Sequence, residues 1–104
     1  MPTYLLAYTG GGMPETEEET AAVMAAWGVW MEGIGDDLVD GGNPFGPSAT
    51  IAPDGSITDG GAARLTGYSI VKADSLGTAT TVAKGCPVLS SGGSVEVYET
   101  FEVM

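Results

Sequence analysis

The chain has 104 residues, 43% of them apolar, and its fourteen acids face only Arg64, Lys72 and Lys84, a net charge of −11. That length holds one domain, residues 1–104, and the charge excludes polyanionic partners, because nucleic acid is bound through basic patches that release counterions. With no histidine in the chain, Ser–His and Cys–His nucleophilic catalysis are excluded, and the commonest transition-metal ligand is missing.

No apolar run approaches the ~20 residues that span a bilayer. No basic stretch precedes the first apolar residues, Tyr4-Leu5-Leu6, so no secretory leader is read here. The single cysteine, Cys86, allows no intrachain disulfide, and a cytoplasmic protein is expected.

Residues 3–9, Thr-Tyr-Leu-Leu-Ala-Tyr-Thr, read as a strand covered on both faces, since apolar side chains fall on both parities. Gly10-Gly11-Gly12 ends it. Thr16-Glu17-Glu18-Glu19 is a capping box, with the Thr16 hydroxyl accepting from the first turn and Glu19 reaching back to the Thr16 N–H. The three glutamates suit the positive end of the helix dipole, a better account of them than a metal site. Val23, Trp27, Trp30, Met31, Ile34 and Leu38 then recur at spacings of three and four, one apolar stripe at helical period. Gly35-Asp36-Asp37 ends the helix.

Leu38-Val39-Asp40 starts a short strand that breaks into a glycine- and proline-rich loop, Gly41 to Pro47. Ala49–Ala52 and Ser56–Thr58 flank Pro53-Asp54-Gly55, which predicts a hairpin because Pro sets one φ and Gly supplies a positive one. Leu65–Val71 reads as the next strand. Asp74 or Ser75 caps a second helix carrying Leu76, Ala79, Val82, Ala83 and Cys86 on one face, and Gly85 and Pro87 stop it. Ser94 to Val103 reads as the final strand, with Val95, Val97, Phe101 and Val103 on one parity and Tyr98 on the other. The order predicts an α+β fold, a ferredoxin-like βαββαβ antiparallel sheet with an inserted hairpin and both helices on one face. Apolar side chains remain for the other face, and a second copy would cover them, which predicts a homodimer.

Five segments together resemble the YCII-related family and its branch named for an Asp-Gly-Pro-Phe motif. They are Tyr4-Leu5-Leu6-Ala7-Tyr8, Leu38-Val39-Asp40-Gly41-Gly42, Asp59-Gly60, Gly67-Tyr68 and Gly93-Ser94-Val95-Glu96-Val97. The resemblance spans essentially the whole chain and implies a dimeric α+β barrel with a cleft between sheet and helices in each subunit. It departs from the family in two places. Gly61-Ala62 stands where the motif has Pro-Phe, and no histidine matches the His–Asp pair of members proposed to be enzymes. Only the Asp59 position carries over.

Asp59, before two glycines, is a candidate general base if burial raises its pKa, or else a brace of its own turn; Tyr68 is the candidate acid. Arg64 is placed to pair with Asp59 or to anchor an anionic ligand. Asp40 and Asn43 flank Gly41-Gly42, which lacks the Gly-Lys-Ser/Thr of a phosphate loop. Trp27 and Trp30 are candidate walls of a pocket between the first helix, the sheet and the 40–47 loop, or else core. Glu99 shares parity with Val95 and Val97, so an ideal strand points it into an apolar face, a costly place unless it reaches a polar cleft or an interface. Cys86 is read as a small core residue. Asp36, Asp37 and Asp40 lack EF-hand spacing, and neither metal nor cofactor is expected. Three functions remain open: a homodimeric small-molecule-binding protein, a cofactor-independent lyase or isomerase using carboxylate and tyrosine acid–base chemistry, and a dimerisation or regulatory module without ligand.

Overall fold

Strand β1, Thr3–Thr9, lies at the centre of the sheet, with apolar side chains on both parities and a partner strand on each side. A computed structural model describes residues 1–11, 15–60 and 64–102. The predicted glycine stop at Gly12, the Gly61-Ala62 departure and the end of the last strand at Val103 lie outside the described residues.

After β1 come α1 (Glu17–Ile34), a 3-10 turn (Gly35–Asp37), β2 (Leu38–Asp40), β3 (Ala49–Ile51), β4 (Ile57–Asp59), β5 (Leu65–Lys72), α2 (Leu76–Ala83), a second 3-10 turn (Pro87–Ser91) and β6 (Ser94–Glu99). The four-stranded sheet runs β2-β5-β1-β6 with every neighbour antiparallel. That is the order of a ferredoxin-like α+β fold, and β3–β4 forms the separate inserted hairpin.

The cores of the two helices are capped as their sequences direct. Thr16 Oγ1 accepts from the Glu19 N–H at 3.0 Å, although Glu19 Oε2 reaches back to the Glu15 N–H at 2.8 Å rather than to Thr16. Ser75 Oγ accepts from the Thr78 N–H. The hairpin turn is held by Asp54 Oδ1, which accepts from both the Ser56 N–H and its hydroxyl, while Gly55 takes φ +89°. Those bonds hold the Asp54 carboxyl below its ordinary value.

Strand alternation divides the sheet into two faces. Tyr4, Leu6 and Tyr8 of β1, with Val71 of β5, are buried beneath the helices, where Trp27, Trp30, Ile34, Leu38, Val95 and Val97 pack against them. α2 contributes Ala79 and Ala83, and Cys86 and Val88 follow it into the same core.

Two expectations change. No residue of α1 is fully buried, and Met24 and Val29 are 70% and 71% exposed; Leu38 opens β2 after the Gly35–Asp37 turn, as expected. A two-layer domain gives a long helix only one surface to cover, so its stripe is half-buried at best. β6 stops at Glu99, with Thr100 making one more backbone bond to the Thr3 carbonyl. β1 begins at Thr3, so residues 100–102 have no partner strand, and Phe101 is 81% exposed instead of covered.

Candidate functional site

Opposite the helices, no element among the described residues layers over the other face of the sheet. Register places Leu5 between Ile70 and Tyr98, and Ala7 between Tyr68 and Glu96. Among these, Leu5, Tyr68 and Ile70 are half-buried and Tyr98 is half-exposed. Their apolar surface is held by the strands themselves.

At the β5 rim of that face three residues meet. The Tyr68 hydroxyl donates to Asp40 Oδ2 at 3.2 Å, and the Phe45 ring stacks on Tyr68 with centroids 5.7 Å apart and planes 18° from parallel. Asp40 can present that oxygen because its other one, Oδ1, accepts from the Gly42 N–H at 2.8 Å. Gly42 itself has φ +78° and lies so close to β5 that a Cβ there would run into the Tyr68 carbonyl. Phe45 is set by its own N–H, which donates to the Thr66 carbonyl, and by the Pro44–Gly67 bridge. The Asn43 carbonyl packs against Gly67, while its side chain belongs to an exposed loop residue. At the other rim, the Glu96 carboxylate beside Tyr98 pushes that phenol above its ordinary value, as acceptor first and as a charge second.

The two tryptophans belong to the opposite side of the sheet. Trp27 meets Tyr8 edge-on at 5.3 Å and Trp30 edge-on at 5.6 Å. The Trp30 indole N–H donates to the Val82 carbonyl at 3.0 Å, which ties α1 to α2. Trp27 and Trp30 therefore cannot share one pocket wall with Tyr68. An open groove of about 590 Å3 does border Trp30, between α1 and Gly85–Ser91, lined mainly by Val23, Ala26, Val29 and Pro87. No other sequence candidate reaches it.

Asp59 is exposed on the hairpin and pairs with Ala49. Among the described residues it makes no hydrogen bond to Tyr68 and no bond to Arg64, and the turn-bracing role falls to Asp40 and Asp54. Arg64 is exposed with φ 52°, the left-handed region. Glu99 keeps the parity expected of it, opposite Tyr4, yet it is exposed because the strand ends there. Burial first, and the Glu99 carboxylate second, push the Tyr4 phenol up. Among the described residues no three carboxylates or thiols converge as a metal site.

A buried polar chain also runs through the core, and sequence reasoning did not single it out. The Tyr8 hydroxyl donates to Ser69 Oγ at 2.7 Å, and the Ser69 hydroxyl donates to the Gly41 carbonyl at 2.7 Å. Ser69 is fully buried, and the Cys86 thiol adjoins Tyr8. Burial pushes both the Tyr8 phenol and the Cys86 thiol up, so each stays protonated at neutral pH. The available signal was parity: Ser69 alternates with Gly67 and Val71 and must face the core with a partner.

No family model matches the chain, and no curated protein is similar to it.

Proposed function

We propose that the protein is a homodimeric small-molecule-binding domain of the YCII-like kind, with its ligand held at the open sheet face beside Asp40, Tyr68 and Phe45. The Asp40–Tyr68 hydrogen bond under the Phe45 ring carries the proposal. It sets a fixed carboxylate and a phenol beside apolar surface, the mixture by which a binding site both attracts and orients a small ligand. The open face supports pairing, because a second copy laid against it would cover Leu5, Ile70 and Tyr98 and enclose what is now a rim.

Cytoplasmic residence belongs to the same proposal and is supported by the lone thiol of Cys86. Among the described residues no helix is long and apolar enough to cross a membrane. The net charge of −11 weighs against nucleic acid as a partner.

A metabolite screen by thermal shift tests the binding, with Asp40→Asn and Tyr68→Phe as controls. A compound that stabilises the unaltered chain and neither variant is the expected result; a stabiliser equally effective on all three would place the site elsewhere. A screen without stabilisers favours the third possibility, a dimerisation module without ligand. The same hydrogen bond favours a second reading, in which Asp40 rather than Asp59 serves Tyr68 in cofactor-independent acid–base catalysis. Turnover lost in Asp40→Asn with ligand affinity retained would mark that enzyme.

A further inference from the structure

Among the described residues, the hairpin β3–β4 packs closely on no other element. Its strands pair only with each other, and a hairpin of two strands alone is marginal in water. Ile51 and Ile57 are cross-strand partners and so lie on one hairpin face, where they are 69% and 70% exposed. Asp59, two residues beyond Ile57, shares that face. The hairpin is nevertheless well made. Its turn is braced by Asp54, and its base is closed by the Gly60 N–H donating to the Ser48 carbonyl at 2.8 Å and the Thr50 hydroxyl donating to the Gly60 carbonyl at 2.6 Å. The two isoleucines thus form one exposed apolar patch on a braced hairpin.

The dimensions say how much surface awaits cover. The accessible area is 7176 Å2, against about 5,400 Å2 for a compact monomer of this mass. The excess of about 1,700 Å2 is roughly twice the ~800 Å2 that each partner gives to a standard interface. The radius of gyration, 15.1 Å, likewise exceeds the ~13 Å of a compact chain of this length. There is surface enough for both the open sheet face and the hairpin to enter one interface. The two are also adjacent: the loop leading to the hairpin passes through Phe45, whose ring lies on Tyr68 at the rim of the open face.

We propose that Ala49–Asp59 is an intersubunit arm that lies against a second copy of this chain, covering Ile51 and Ile57 and drawing Asp59 to the subunit boundary; it rests on the homodimer proposed above. A two-fold pair uses the same arm twice, so each copy gives and receives one. Asp59, whose place beside Tyr68 is taken by Asp40 in its own chain, then stands where the partner's surface begins.

Sedimentation of the intact chain over a dilution series is the test. A dimer is expected, and the double variant Ile51→Asp, Ile57→Asp should raise its dissociation constant by at least about tenfold, with an unchanged far-UV circular dichroism spectrum. A smaller change overturns the arm and leaves the homodimer standing. A monomer at concentrations on the order of 100 µM overturns homodimer and arm together. Hydrogen exchange on the unaltered chain needs no variant. The amides of β3 and β4 should slow as concentration rises through the dissociation constant, and rates independent of concentration in a dimerising sample would refute the arm.

Discussion

At Gly42 the loop turns with positive φ hard against the Tyr68 carbonyl, so side-chain space and backbone conformation both exclude other residues. Gly42→Ala should cost more than about 2 kcal/mol of stability, read as a large fall in the urea midpoint. Ser69 makes a different demand. Replaced by alanine, it leaves the Tyr8 hydroxyl without its acceptor and the Gly41 carbonyl without its donor, at a cost of about 1–3 kcal/mol. Tyr8→Phe removes one bond and strands no donor, so it should cost less, and denaturant titration ranks the two. The same buried groups give the fold an alkaline limit. Unfolded, the thiol and phenol release protons near their ordinary values of 9.0 and 10.0, whereas the folded chain holds Cys86 and Tyr8 protonated to higher pH. The folded state thus binds more protons in that window. Stability is unaffected by these groups below about pH 9 and falls as pH climbs above it. Tyr8→Phe should flatten the upper part of that slope.

α1 leans on its own local chemistry, because none of its residues is fully buried. Its start is legible in Thr16-Glu17-Glu18-Glu19, and Thr16→Ala should destabilise the protein by about 1 kcal/mol, measured by thermal unfolding. Its register was legible too, through Val23, Trp27, Trp30 and Ile34, and so was its end at Gly35-Asp36-Asp37. The hairpin was legible from Pro53-Asp54-Gly55, since turn chemistry is local. β6 was read too long because its alternation continues past the point where β1 stops offering partners. A strand's end is set by its neighbour as much as by its own residues.

For the whole molecule, the unlayered sheet face and the hairpin are the surfaces that a second copy would use. Ile70→Glu places a charge in the middle of that face and should convert a dimer to a monomer in light scattering without loss of helical signal. Charge works against association, since each copy carries −11. Raising the salt shortens the Debye length from about 30 Å at 0.01 M to about 10 Å at 0.1 M. Dimerisation should therefore tighten with ionic strength, as sedimentation at low and high salt would show. A dimer weakened by salt would point to ion pairs as its main bond.

From its sequence alone the chain determined the α+β class, the element order, both helix starts and the hairpin turn, because capping, periodicity and turn chemistry act over a few neighbouring residues. The acid excess and the missing histidine also bounded the chemistry without any structure. Tertiary structure decided which candidates meet. Trp27 and Trp30 pack from α1 onto the helix-covered face of the sheet, strand parity sends Tyr68 to the far face, and the 40–45 loop folds back to set Asp40 and Phe45 on Tyr68. Asp59 is left on the hairpin opposite Ala49, and Asp40 takes the Tyr68 hydroxyl instead. Those pairings join residues 23 to 28 positions apart, and no local rule of sequence measures such distances.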